Sequence, residues 1–387
     1  MKQVLRRSII EQNNIPQEKN EYTLIVDGSS VLKASLVSSK YNEDGLEYGA
    51  ITNFFNIIRK VIVARDFSKC YVFFDDNKSG QLRADIYPLY KANRDKNYDI
   101  NSSDYDKQIQ KFVKYVLEKS KQKKKAIAKD TKEDENERYQ RSRQVILDIC
   151  EELYIRAYMS EYVEADDLCA YVVKHKKPNE KIYIISGDRD LAQLIADDVA
   201  LYVLQTKKFV IPSNCVAEIG CTQENIVLKK IFCGDASDNI VGIKGVGEKT
   251  FFSLFPQAKT TKMSVEDVIE SAKRINEERI KEKKKPLKSC ENIINCVTDG
   301  IQGDKLYEIN QKIISLDKPM LTEEAENFMK DFIRLPLDSE GRSFENLYKI
   351  ILNNKINDLL ADGKVGDFFS AFNALIYREK EYEKNFS

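Results

Sequence analysis

Three short apolar runs in this chain each end on aspartate. Leu24-Ile25-Val26 runs into Asp27, Val72-Phe73-Phe74 into Asp75, and Ile184-Ile185 passes through Ser186-Gly187 into Asp188 and Asp190. Runs of this kind read as fully buried parallel strands, and an open α/β sheet takes its ligands outside the carboxyl ends of such strands. Two more acidic segments complete the set: Glu164-Ala165-Asp166-Asp167, and Asp235 with Asp238 in Gly234-Asp235-Ala236-Ser237-Asp238-Asn239. Carboxylates from five segments brought to one sheet edge repel one another unless cations lie between them. Oxygen donors without histidine or cysteine favour Mg²⁺, with Mn²⁺ as a substitute. Two such ions about 3.5–4 Å apart would activate a water and stabilise the leaving oxygen of a phosphodiester.

Each acid has a plainer explanation when taken alone. Asp27-Gly28 is a common turn pair, Asp188 and Asp190 can cap the next helix, and Glu164 to Asp167 is an ordinary acidic first turn. A loop needs one cap, however, and here five segments offer acids at places expected to converge.

Composition narrows the classes. The 387 residues carry 62 Lys+Arg and 62 Asp+Glu, so any nucleic-acid signal has to be local rather than a global basic field. Eight cysteines without a C-x-x-C pair, and His175 as the one histidine, argue against zinc and for reduced thiols in a cytosol. Residues 1–21 are broken too soon by Glu11, Gln12, Asn13 and Asn14 to read as a signal peptide or membrane span. A soluble, cytoplasmic, monomeric protein is expected.

Strand and helix patterns alternate from Tyr22 onward. Ile51–Val63, Ile109–Leu117, Val145–Leu153 and Glu164–Lys174 read as helices; Cys70–Phe74, Ile182–Ile185, Ala200–Leu204 and Phe209–Ile211 read as strands. The fold class is therefore α/β, with a mostly parallel central sheet flanked by helices. From about Pro256 the pattern is helical and charged. Lys119–Arg138 reads as a solvated charged helix or loop, with a lid over the site as the alternative, and Lys283-Lys284-Lys285 is similarly open. Phe368-Phe369-x-x-Phe372 is either core or a docking segment for a partner.

Two further segments bear on chemistry. Gly242-Ile243-Lys244-Gly245-Val246-Gly247-Glu248-Lys249-Thr250 is not a Walker A loop, because Glu248 separates Gly247 from Lys249. A hairpin gripping a DNA backbone fits it, with Gly242, Gly245, Gly247, Lys249 and Thr250 as contacts; a plain glycine turn is the other reading. In Tyr90-Lys91-Ala92-Asn93-Arg94, the two cations can orient a phosphate and Tyr90 can stack on a base, or the stretch is an ordinary surface loop.

Taken in order, Ile25-Val26-Asp27-Gly28, Phe74-Asp75, Tyr90-Lys91-x-Asn93-Arg94, Glu164-Ala165-Asp166-Asp167, Ser186-Gly187-Asp188-Arg189-Asp190-Leu191-x-Gln193-Leu194 and Gly234-Asp235-x-x-Asp238-Asn239 with the following glycine loop resemble the flap endonuclease/5′-3′ exonuclease family. Asp76-Asn77-Lys78-Ser79-Gly80 and the helical tail are most similar to its T-even phage ribonuclease H type. The resemblance implies a PIN/SAM-like 5′ nuclease core over 22–255, with an arch at about 84–140 and a helix-hairpin-helix at about 228–255, between a polar extension (1–21) and a C-terminal helical domain (256–387). It implies removal of RNA primers and 5′ flaps from DNA and RNA–DNA hybrid substrates. Single-stranded-DNA-binding protein, sliding clamp and polymerase are the partners it suggests. A first metal cluster of Asp27, Asp75, Glu164 and Asp166 is implied, and a second of Asp188, Asp190 and Asp235, with Asp167 and Asp238 bridging or outside them. Lys91 and Arg94 would be catalytic cations and Arg83 a phosphate contact, with K⁺ admitted at the hairpin. The rivals are a non-catalytic DNA-binding scaffold protein and a PIN-type ribonuclease.

Overall fold

The computed structural model of the chain describes residues 21–37, 40–92, 131–296, 300–301 and 304–386. Strand β1 (Glu21–Asp27) leads into helices α1 (Gly28–Leu36) and α2 (Tyr48–Ile62), and β2 (Phe67–Phe73) into α3 (Gln81–Ile86). Helix α4 (Thr131–Glu152) precedes β3 (Arg156–Tyr158), α5 (Ala165–Lys174), β4 (Glu180–Ser186), β5 (Val199–Val203) and β6 (Lys208–Val210). These strands form one sheet in the order β3-β2-β1-β4-β5-β6, parallel except for β6, which runs antiparallel on β5. Order reverses between β1 and β4. That is the switch point where an α/β sheet opens a crevice at its carboxyl edge.

The apolar runs are buried on both sides, as parallel strands must be. Leu24, Ile25 and Val26 are each 0% exposed, and successive residues serve opposite faces. Ile25, Tyr71, Phe73 and Ile184 pack with Leu168 and Val172 of α5. Leu24, Val26, Cys70 and Val72 pack with Phe54, Phe55 and Ile58 of α2 and with Ile146 and Ile149 of α4.

After the sheet come α6 (Ile226–Cys233), a two-residue pair β7 (Gly234–Asp235) and β8 (Ile240–Val241), and α7 (Glu248–Leu254). The helical tail holds α8 (Val265–Lys281), α9 (Lys288–Asn295), α10 (Leu306–Ile314), α11 (Glu323–Arg334), α12 (Phe344–Asn353) and α13 (Asn373–Phe386). Most of its apolar residues complete the two cores of the sheet, while Ile309, Ile313 and Ile314 of α10 pack with Tyr87, Leu89, Tyr90 and Ile240 in a smaller cluster. Val268, Ala272, Ile293 and Met329 join the α5 face, while Leu347, Ile351 and Leu375 join the α2 face. Phe369 and Phe372, at 1% and 0% exposure, stack edge-on against Phe55, so this segment is core and offers no docking face.

Two elements differ from the sequence pattern. The helix expected at Val145–Leu153 begins at Thr131, so the end of the charged run is helical. Strand β3 has no apolar run to announce it; it exists because β2 pairs with it and because Arg156 finds a partner far along the chain. The Arg156 guanidinium donates to Glu379 through Nε at 2.8 Å and a second nitrogen at 2.7 Å, and to the carbonyls of Phe332 and Leu335. Both side chains are almost fully buried, which ties α13 to the sheet edge. The expected helix Ile109–Leu117, Arg94 and most of the arch lie outside the described residues.

Breaking a buried bidentate pair leaves an uncompensated charge. Glu379→Gln is expected to cost about 3–5 kcal/mol in denaturant unfolding, and the joint replacement Arg156→Met with Glu379→Met to recover much of that loss.

Candidate metal centre and nucleic-acid face

The carboxyl edge of β1, β2 and β4 carries the first group of acids. Asp27 closes β1 and caps α1: Oδ1 accepts the Ser30 amide at 2.9 Å and Oδ2 the Ser186 hydroxyl at 2.6 Å. Asp75 stands two residues past β2, and its Oδ1 accepts the Ala165 amide at 3.0 Å at the start of α5. Asp188 follows β4 and caps the short turn Arg189–Leu194 by accepting the Asp190 amide at 2.8 Å. Asp166 enters from the first turn of α5.

These carboxylates oppose one another. Burial, and then the charge of Asp75, push the Asp27 carboxyl up to about 7, against hydrogen bonds from Ser186 and Ser30. Burial and the charges of Asp188, Asp27, Glu164 and Asp75 push Asp166 well above the usual carboxylate range. Such a set is poised to take positive charge.

The second group is Asp190, Asp235 and Asp238, whose ligand oxygens lie within 4.8 Å of one another. Asp190 comes from the turn after β4; Asp235 and Asp238 come from β7 and the loop to β8. Lys230 of α6 bonds both Asp190 and Asp235, the latter at 2.5 Å. Although burial opposes its charge, Asp190 and Asp235 hold its ammonium above the usual lysine range. Asp235 also accepts the Ser237 amide and hydroxyl at 2.8 and 2.6 Å; with Lys230 these outweigh burial and hold its carboxyl low. Burial, then Asp188, raises Asp190 in spite of Lys230.

Glu164 is held differently. It accepts from Arg83 at 2.7 Å, from the Tyr90 hydroxyl at 3.0 Å and from Lys91. Burial alone would raise it, but Arg83, Lys91 and Tyr90 hold it below the carboxylate range. Arg83 and Tyr90 therefore take other places than expected, and Asp167 the outer of the two places open to it. Arg83 is 4% exposed and faces inward: it pairs with Glu164 and Asp167 and donates through Nε to the Ile313 carbonyl at 2.9 Å, so it is buried support rather than a phosphate contact. Asp167, at 0% exposure, spends its oxygens on Arg83 and the Met320 amide and reaches the acids only through Arg83. Tyr90 packs against Ile240, Ile309 and Ile313, which closes its ring to a base.

Lys91 keeps its expected place. Its Nζ bonds Glu164 and lies 3.9 Å from Asp238 Oδ1, and its amide donates to the Asp238 carbonyl at 2.9 Å. The tertiary structure also brings in Lys230, which carries no signal in the sequence pattern, and gives Ser186 of the Ser186-Gly187-Asp188 motif a role as hydrogen-bond donor to Asp27. Lys230 sits five residues before Asp235, where α6 runs straight into β7. His175 caps α5 with its ring on the Tyr171 carbonyl, at the helix end remote from Asp166.

Beside the second acid group runs the glycine loop. Ile243 and Val246 are buried anchors, while Lys244, Gly245, Gly247 and Lys249 are exposed. A Cβ on Gly242 would lie 2.2 Å from the backbone of Cys233, so β8 can pass α6 and β7 only with glycine there. Gly245, at φ +80°, and Gly247 have no neighbour within 4 Å of such a Cβ. The loop thus presents bare backbone and two lysines that form no ion pair among the described residues.

All-oxygen donors, mutual repulsion and partial exposure fit divalent cations. Asp27, Asp75 and Asp166 would hold one together with Asp188, which the resemblance groups with Asp190 and Asp235 but whose charge is the strongest acting on Asp166; Glu164, expected in that first group, is instead taken up by Arg83, Tyr90 and Lys91. Asp190, Asp235 and Asp238 would hold another, and Lys230 shares two carboxylates with them. All eight cysteines are free, seven of them buried, and none joins this cluster. No helix among the described residues is long and apolar enough to cross a membrane.

A family model described as the 5′-3′ exonuclease N-terminal resolvase-like domain matches residues 22–220. The 5′-3′ exonuclease of Buchnera aphidicola subsp. Schizaphis graminum is 25% identical over 255 residues, covering 64% of this chain and 74% of that protein. DNA polymerase I of Bacillus subtilis is 34% identical over 143 residues, 36% of this chain; the chain spans only 16% of that protein's length. Among solved structures, T5 5′-exonuclease with bound zinc ions aligns at a TM-score of 0.53 and 17% identity, over 87% of this chain and 98% of that one, which is a likeness of fold.

The raised Asp27 carboxyl has a measurable consequence without metal. A carboxyl raised from 3.8 to about 7 favours the folded state at low pH, and that contribution is lost as pH rises through about 7. Asp27→Asn removes the loss, worth at most about 4 kcal/mol. In EDTA at alkaline pH the variant is expected to melt a few degrees above wild type, the gap narrowing as pH falls towards the ordinary carboxylate range. A variant that melts lower at alkaline pH would show that the charge is stabilised by its neighbours.

Proposed function

The chain belongs to the 5′-3′ exonuclease family, and from that premise we propose that it is a divalent-metal-dependent, structure-selective 5′ nuclease. The observation that carries the proposal is the set of aspartates at the sheet's carboxyl edge beside an exposed glycine and lysine loop: Asp190, Asp235 and Asp238 with ligand oxygens within 4.8 Å of one another, and next to them Asp27 and Asp166, whose carboxyls are raised by burial and by the charges of Asp75 and Asp188. Substrates would be DNA with a 5′ flap or end and RNA–DNA hybrids, chosen by shape and a free 5′ end rather than by sequence. Such cutting removes RNA primers and flaps during replication, where a polymerase, a sliding clamp and a single-stranded-DNA-binding protein are natural partners.

Mg²⁺, or Mn²⁺ in its place, would supply Lewis acidity at the scissile phosphate when bound by the two aspartate groups. The chain's own residues do the rest. Ser186, Ser30 and the Ala165 amide fix the rotamers of Asp27 and Asp75, so little ordering remains at the moment of reaction. Arg83 and Tyr90 hold Glu164 ionised, and Glu164 in turn aims the Lys91 ammonium at the acid edge. There the ammonium can meet a phosphate oxygen and stabilise its developing charge. Lys244, Lys249 and the bare loop backbone grip the duplex through phosphates, which accounts for indifference to sequence. Arg94, assigned the same role as Lys91, lies outside the described residues.

Cleavage of a 5′-labelled flap duplex, with Mg²⁺ and with EDTA, beside the matched single strand, tests this reading. Metal-dependent cutting at the junction is expected. Binding without cutting, even with Mn²⁺, would indicate a scaffold protein, and cutting of the single strand alone a PIN-type ribonuclease. Asp188→Asn should lower single-turnover cleavage by roughly a hundredfold or more while duplex binding stays near wild type. Lys91→Ala should slow the same step by about 10²–10³ with a much smaller loss of affinity; equal losses in both would reduce Lys91 to a binding residue.

A further inference from the structure

Helices α8 and α9 fold back on each other, and the turn between them is the most basic exposed segment among the described residues of the tail. Lys281, Lys283, Lys284, Lys285 and Lys288 are all exposed there, against one acid of the turn, Glu282. Lys284 pairs with Glu282 at 2.8 Å and Lys288 lies 4.0 Å from Glu291. Lys281, Lys283 and Lys285 form no ion pair among the described residues. Like charges held together cost stability, and a chain of zero net charge has no general need of them.

The turn is also well built. Its backbone closes through the Lys284 amide on the Arg279 carbonyl at 2.8 Å, and Arg279 Nε donates to the Lys285 carbonyl at 2.9 Å. Buried Asn276 accepts the Leu287 amide at 2.8 Å. Charges on such a frame are presented at small entropic cost on binding.

Its position supplies the partner. Asn292 of α9 donates through Nδ2 to the carbonyl of Lys244, in the glycine loop, at 2.7 Å. Lys288 lies about one turn, or ~6 Å, back along α9 from that contact. Phosphates along one strand of a duplex repeat every ~3.4 Å, so the lysines beyond Lys288 fall a few phosphates from the loop. We propose that the α8–α9 hairpin is a second, sequence-independent contact to the duplex backbone, continuing the surface begun by Lys244 and Lys249. The inference rests on the nuclease reading and adds a binding surface to it.

The test removes the three unpaired charges with Lys281→Gln, Lys283→Asn and Lys285→Gln. Asparagine suits position 283, where φ is +57°. Affinity for a flap duplex is measured over a salt series without divalent metal, and single-turnover cleavage with Mg²⁺ at saturating protein. The variant should show a log–log salt slope shallower by roughly 2–3, about 0.9 for each phosphate that is no longer neutralised, at an unchanged cleavage rate. A slope and affinity equal to wild type, while wild type cuts the flap, would overturn the hairpin contact and leave the nuclease reading standing. A wild type that neither binds nor cuts the duplex would overturn both.

Discussion

Repulsion among carboxylates at one edge of a sheet is the constraint on which the rest of the molecule turns. Asp27, Asp75, Asp166 and Asp188 are brought near one another by the strand ends and the first turn of α5; hydrogen bonds fix Asp27 and Asp75, and burial raises the carboxyls of Asp27 and Asp166. In an ordinary core that arrangement would be eliminated. Here the strands cannot end elsewhere, because the apolar runs before them are buried on both faces and set the register. Lys91 and Lys230 offset the neighbouring acids Glu164, Asp190 and Asp235, and divalent ions would do the same for Asp27, Asp75, Asp166 and Asp188.

The cations divide into layers by burial. Arg83 is fully enclosed and never reaches the edge; it holds Glu164 ionised and pairs with buried Asp167 behind it. Lys91 and Lys230 touch the acids themselves while keeping some exposure. Lys244, Lys249 and the hairpin lysines face outward with bare backbone between them. Charge therefore runs from buried support, through the acids, to a face that fits a polyanion, although the chain as a whole is neutral.

The helical tail is part of this construction. Met320 donates to Asp167, Ile313 accepts from Arg83, and Glu379 neutralises Arg156 at the sheet edge. Residues more than 130 positions after α5 thus support a site whose acids all lie before them. Aromatic residues near the end, Phe369 and Phe372, fill the α2 face rather than waiting for a partner.

The sheet and the acids that end its strands could be read along the chain. Buried parallel strands announce themselves as apolar runs, and a carboxylate at the end of each needs no tertiary information to be noticed. The glycine loop was visible for a similar local reason, three glycines between positions 242 and 247; that only hydrogen fits at Gly242 against Cys233 was decided on folding. Which polar residues face the site was settled on folding. Arg83 and Tyr90 look like surface cation and ring until Ile313 and Ile240 bury them, and Lys230 looks like any helical lysine until β7 places Asp235 beside it. Strand β3 and its Arg156 likewise depended on Glu379, 223 residues away. Periodicity and propensity report a residue's own neighbourhood along the chain; the burial and pairing of a charge depend on segments that only folding brings together.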